Sequence, residues 1–327
     1  MDRLEGLRSG FLADLTTSEG QLHRFTAICH IMRDRGILAA DVLTSWIREE
    51  LGLTNIKVIN RHLRAMESLG LLAREDIGYV LSSEGKALCA LVPPDSGGGL
   101  ELAERVFYLR ALVSYVPLQF TSILSAISEN ARGPKEQAIT SYGLKIRAGS
   151  TWKDKADLKM RFSRRPETPP RKVRNNFDCF RLWLKQLRLV KADDLELTRM
   201  GKQLADVVRN QGDELRDRIY WAAVAYVCHE PGCLPEFKYD DEPSHIYFLG
   251  LIREGYKLFE RPELRLSDAR SISIYVCIKL LIEGHRILSE NTFWQLVRRL
   301  VSEGFIESAA TGRDGKLAYI SLGSDVK

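Results

Sequence analysis

Apolar residues recur at three- and four-residue steps through much of the chain, as in Ile56, Ile59, Leu63, Met66 and Leu69, and again in Val173, Phe177, Phe180, Leu184 and Leu187. This spacing lines one face of an α-helix and predicts that these side chains pack inward. Both runs stop at leucines, in His62-Leu-Arg-Ala-Met-Glu-Ser-Leu69-Gly-Leu-Leu-Ala73 and in Phe180-Arg-Leu-Trp-Leu-Lys-Gln-Leu187-Arg-Leu-Val-Lys191. A few residues with the alternation of an edge hairpin follow each stop. A shared phrase then closes each segment: Leu81-Ser-Ser-Glu-Gly85-Lys-Ala-Leu88 in the first, Leu197-Thr-Arg-Met-Gly201-Lys-Gln-Leu204 in the second. Ser82 and Thr198 are placed to cap the helix that comes next. Matching positions lie 116 to 118 residues apart, which points to a duplicated structural unit.

A third copy is readable near the end. Phe293-Trp-Gln-Leu-Val-Arg-Arg-Leu300-Val-Ser-Glu-Gly304-Phe-Ile306 repeats the helix and its glycine stop, and Thr311 to Ile320 reads as a hairpin turning at Asp314-Gly315. Leading helices echo one another in Arg105 to Tyr115 and Arg218 to Tyr226. The expected organisation is a leader helix at 1–20, a first module at 21–92, a flexible joint at 93–99, a second module at 100–211 carrying a basic insertion at 145–174, and a third module at 212–327. The expected fold class is mostly α with small β-hairpins, α+β.

Three helices followed by a hairpin is the winged-helix form of the helix-turn-helix, in which the last helix before the hairpin enters the DNA major groove. On the repeated phrases above, the chain resembles a tandem winged-helix DNA-binding protein. Its layout is loosely similar to the recognition regions of type IIS restriction endonucleases and to multi-module DNA readers of prokaryotic defence systems, without a counterpart of the endonuclease cleavage domain. This resemblance implies double-stranded DNA as partner. It further implies either a DNA-reading or accessory subunit acting beside a separate effector protein, or a transcriptional regulator.

Charge sharpens that expectation locally rather than globally. The net charge of the 327 residues is +5, but residues 145–174 hold eleven basic side chains against three acidic ones, so the remainder of the chain is slightly acidic. Broken by Pro166, Pro169 and Pro170, this stretch reads as an exposed arm leading into the second candidate recognition helix. Lysines and arginines there would release counterions from DNA, adding affinity without sequence preference. Within it, Arg164, Arg165, Arg171, Lys172 and Arg174 are the candidate contacts.

The candidate reading faces follow from the apolar spacing. In the first module Asn55, Lys57, Asn60, Arg61 and Arg64 are left facing outward. Asparagine can pair with adenine, arginine with guanine, and lysine with phosphate. In the second module the corresponding set adds Asn175, Asn176, Arg181 and Lys185. In the third module, behind a cap-like Ser289, it is Asn291, Gln295, Arg298 and Arg299, although Glu290 and Glu303 make that face mixed.

Catalysis and cofactors find little in the sequence. Glu236-Phe-Lys238 has the order of a metal-dependent nuclease, but the only partner in view, Asp95, sits in a glycine-rich joint. No phosphate-cradling loop or nucleophile elbow is present. Cys228, His229, Cys233 and His245 are spaced too loosely for a zinc knuckle, and the six cysteines read mostly as isolated buried hydrophobes. A non-catalytic protein without metal or cofactor is therefore expected. A composition of 45% hydrophobic and 28% charged residues, with no long apolar span and no signal-peptide pattern, predicts no membrane association and a cytoplasmic setting. The alternative is a structural subunit that uses winged helices to dock proteins; acidic pairs such as Glu49-Glu50 and Asp193-Asp194 favour it.

Overall fold

The computed structural model describes residues 12, 15–33, 39–76, 78–94, 99–150, 170–191, 195–210, 215–229, 244–261, 266–285, 290–311 and 317–322. In chain order, a 3₁₀ turn (Thr17–Glu19) precedes α1 (Leu22–Arg33), α2 (Ala40–Leu51), α3 (Ile56–Ser68), the strands β1 (Leu72–Glu75) and β2 (Gly78–Leu81), α4 (Ser83–Leu91) and α5 (Leu102–Tyr115). Next come α6 (Pro117–Glu129), α7 (Lys135–Gly149), α8 (Arg171–Gln186), α9 (Arg199–Asn210) and α10 (Leu215–His229). The last part holds α11 (His245–Phe259), β3 (Glu260–Arg261), β4 (Leu266–Asp268), α12 (Ala269–Ile282), α13 (Glu290–Ser302), β5 (Ser308–Thr311) and β6 (Leu317–Ser321). The protein is mostly helical with small antiparallel sheets.

The repeated phrase has one structural explanation in both copies. After α3, the amide of Leu71 donates to the Met66 carbonyl at 2.8 Å across a left-handed Gly70; after α8, Leu189 donates to Leu184 at 2.8 Å across a left-handed Arg188. These are helix-ending turns that satisfy the last carbonyls. The amides of Ser82 and Thr198 then donate back to the Leu71 and Leu189 carbonyls, at 3.1 and 3.0 Å. Their hydroxyls accept from the amides of Gly85 and Gly201, both at 3.1 Å, and so cap α4 and α9. Between stop and cap, the first copy has a true hairpin, with Leu72 opposite Leu81, whereas the second has only a bridge between Val190 and Leu197.

The last unit is built differently. β4 lies between α11 and α12 and pairs with β6, giving a sheet in the order β3, β4, β6, β5, all antiparallel. α12 packs against α4, α5 and α11, and α10 packs against α5 and α9. A single apolar cluster runs from Leu12 to Leu322, so the units share one core. No single helix among the described residues is long and apolar enough to cross a membrane; α5 and α6 together have the length of a broken span, but they meet at 107° and are mostly buried.

Several expectations are corrected. Residues 15–20 of the expected leader helix form the short turn instead, because Thr16 and Glu19 close a capping box around it. Of the expected insertion at 145–174, Lys145 and Arg147 belong to the end of α7, and Arg171, Lys172 and Arg174 to the start of α8; 151–169 lie outside the described residues. Ile56 does not pack inward but is 49% exposed, since it is the first residue of α3 and has no preceding turn to cover it. Cys29 and Cys89 are buried in contact with each other rather than isolated.

Candidate nucleic-acid interface

α3 is positioned by a short turn from α2. Gly52 ends α2 in the left-handed region, and Asn55 caps α3 by accepting from the Lys57 amide at 2.9 Å. Its apolar face buries Ile59, Leu63 and Met66, which leaves Asn55, Lys57, Asn60 and Arg64 exposed along one side. Arg61 lies at the border of that side, 27% exposed, and its Nε donates to Glu19 Oε1 at 3.0 Å. Asn55 is therefore first a cap, with only its amide nitrogen left over for another partner.

Glu19 was not among the sequence candidates, although Thr16-Thr-Ser-Glu19 spells the capping-box pattern. Its carboxylate is fully buried. Oε2 accepts from the Thr16 amide at 2.7 Å and from the Thr16 hydroxyl at 2.9 Å. The turn itself is clasped by α8: Trp183 Nε1 donates to the Glu19 carbonyl at 2.7 Å, and Gln186 bonds Gly20 and the Leu22 amide. His62, also fully buried, stands 3.7 Å from Glu19 and has Nδ1 2.9 Å from the Val58 carbonyl, with Phe25 edge-on to its ring. Burial pushes the His62 pKa down, outweighing the raising influence of the Val58 bond and of Glu19, so the imidazole is neutral at pH 7.

The second face fares otherwise. Asn176, expected to point outward, is fully buried. Its amide donates to the Leu12 carbonyl, and its oxygen accepts from Gln119 and from the Tyr142 hydroxyl, which is why a polar side chain is tolerated in the core. Arg174 is paired with Glu136, and Arg181 lies 3.9 Å from Asp178, which Lys135 also engages at 2.6 Å. Arg171 is exposed, and Lys172, Asn175 and Lys185 are half-buried. Arg164 and Arg165 fall outside the described residues.

On α13, Gln295, Arg298 and Arg299 are exposed, while Phe293, Val297 and Leu300 are buried. Arg299 bonds Glu303 at 2.8 Å, one turn on. Asn291 is helical, its side chain outside the described residues, as are Ser289, Asp314, Gly315, Glu236, Lys238, Asp95 and Cys233. Among the described residues, no group of three or more His, Cys, Asp or Glu side chains is placed to hold a metal ion. The structure thus brings Lys57, Asn60 and Arg64 of α3 and Gln295, Arg298 and Arg299 of α13 to the surface, pairs Arg61 and Arg299 with carboxylates, and buries or pairs Asn176, Arg174 and Arg181 of α8.

Comparison of the chain with protein-family models, with curated proteins and with solved structures finds no match.

Proposed function

We propose that this chain is a non-catalytic protein that binds duplex DNA, built from winged-helix units and reading base pairs through α3. The observation that carries this is the α3 face itself, where exposed Lys57, Asn60 and Arg64 adjoin Arg61 on a helix set up by a helix-turn-helix. These side chains supply donors and acceptors for base edges and positive charge for phosphates. The order of the last unit supports the reading too: apart from the two-residue β3 added beside β4, helix α11, strand β4, helices α12 and α13, then the β5 and β6 hairpin with β4 against β6 follow the order of a winged helix. Exposed Ile56, beside Asn55 at the start of α3, suits a thymine methyl.

Fluorescence anisotropy of the full chain with labelled duplexes, over a series of salt concentrations, tests the proposal. Arg64→Ala should cost about 10-fold on a selected site and little on unrelated duplexes. Arg171→Ala should weaken all duplexes alike and reduce the salt slope by about 1. Absence of salt-dependent duplex binding overturns the proposal. A second reading, a protein-docking subunit, is favoured by the outer face of α7, where a shallow recess of about 600 Å³ is lined by Glu136, Gln137, Thr140, Ser141, Lys145 and a 54% exposed Leu144.

A further inference from the structure

We propose that Glu19 is a positioning residue for a base contact: it holds Arg61 so that its two terminal amines present an end-on fork to O6 and N7 of a guanine in a duplex seated on α3. This rests on the DNA-binding reading above and adds to it a residue outside α3 and the base it serves.

A guanidinium is a rigid plane with five donors, so fixing one edge fixes the direction of the others. Glu19 takes only the Nε edge of Arg61, at 3.0 Å, and among the described residues the terminal amines have no hydrogen-bond partner. The carboxylate cannot follow the arginine away, because Thr16 holds its second oxygen at 2.7 and 2.9 Å and Trp183 holds its backbone carbonyl at 2.7 Å. Rotamer freedom that a solvated arginine would lose on binding is therefore already lost in the free protein.

Electrostatics selects guanine over phosphate as the target. A buried carboxylate beside Arg61 cancels its charge at a distance, and a neutralised pair releases few counterions from DNA. Charge is what a phosphate contact uses, whereas the fork of directed donors survives neutralisation and is what O6 and N7 require. Lys57 and Arg64, on the same face and exposed, retain their charge for the backbone or a neighbouring base.

The test starts from a duplex that the full chain enriches from a randomised library, in which each guanine in turn is replaced by 7-deazaguanine, removing the N7 acceptor alone. Wild type should lose about 10-fold at one position, and Arg61→Ala should show no such loss, since the donors to N7 are gone. In Glu19→Gln the loss should shrink, while affinity for unrelated duplexes rises and its salt dependence steepens, because the counter-charge of Arg61 is gone. That opposite movement of specific and non-specific binding is not expected of a merely structural carboxylate. If Glu19→Gln does not fold, Glu19→Asp takes its place: withdrawn from Nε by one methylene, it should shrink the 7-deazaguanine loss while leaving the salt slope unchanged. The proposal is overturned if no 7-deazaguanine position matters, or if a folded Glu19 variant keeps the full loss. A chain that binds no duplex at all removes the DNA reading itself, a distinct outcome.

Discussion

Gly85 and Gly201 should be intolerant of a single methyl group, although both lie in helices where alanine is ordinarily the better residue. A Cβ on Gly85 would sit closer than 3.0 Å to the Leu71 carbonyl oxygen, and one on Gly201 closer than 3.0 Å to the Leu189 carbonyl oxygen. Those carbonyls are backbone, already engaged by the Ser82 and Thr198 amides, so they cannot rotate aside as a side chain would. Relief requires moving the start of α4 or α9 outward, which breaks the cap bond from Ser82 or Thr198, worth about 1 kcal/mol, and adds overpacking of about 1–3 kcal/mol. Better helix propensity returns about 1 kcal/mol. A net loss of about 2 kcal/mol is expected for Gly85→Ala and for Gly201→Ala, which in a chain of this length lowers Tm by about 3 °C. Gly250→Ala is the control, because Gly250 is also helical and its Cβ would meet nothing within 4 Å. That variant should gain about 1 kcal/mol. Urea and thermal unfolding of the three variants would measure the signs. If Gly201→Ala stabilises the protein as Gly250→Ala does, the close approach is not what the repeated glycine is for.

Two other outcomes follow from buried polar groups. Asn176→Leu preserves size and leaves the Leu12 carbonyl and the Gln119 amide bonded to each other, but it strands the Tyr142 hydroxyl, and should cost about 2 kcal/mol by urea denaturation; a neutral effect would mean that water reaches that hydroxyl. His62 has its pKa lowered in the folded state, so the unfolded chain binds more protons below the ordinary value of 6.5; its contribution to stability is present above that pH and is lost as pH falls below it. His23, exposed at the surface but lowered by partial burial and by Arg24, acts in the same direction more weakly. The stability read from urea unfolding should therefore fall between pH 7 and 5 in wild type, by at most about 1.4 kcal/mol per pH unit for His62, and less steeply in His62→Gln. Equal slopes in the two proteins would show that His62 is not the group responsible.

The repeat is legible in the amino-acid letters because its determinants are local: a left-handed stop, a serine or threonine cap, and a glycine three residues after the cap all act within about twenty residues. The shared core is not legible, since helical spacing says which face is apolar but not which other helix covers it. Asn176 misleads for the same reason. An asparagine between basic residues reads as outward, and only the approach of Leu12, 164 positions away, together with Gln119 and Tyr142, makes its burial affordable. Ile56 errs in the other direction, its apolar letter standing where α3 begins and cover is lacking. Glu19 could have been found from its capping box, but reading residues 1–20 as one helix passes over the turn.

The two copies have diverged in what their polar faces do. α3 and α8 end with the same bonds, yet α8 turns Asn176 inward, spends Arg174 on Glu136 and Asp178 on Lys135, and uses Trp183 and Gln186 to grip the turn that carries Glu19. α3, which that turn touches from the other side, keeps Lys57, Asn60 and Arg64 at the surface. If the chain binds DNA as proposed, two equivalent reading helices would need free donors on both, so the proposal assigns reading to α3 and support to α8. In that arrangement a change on the buried side of α8 should reach Arg61 through the Thr17–Glu19 turn without touching the α3 surface. Under that proposal, Trp183 would act on recognition from behind the α3 surface, by holding the turn that carries Glu19.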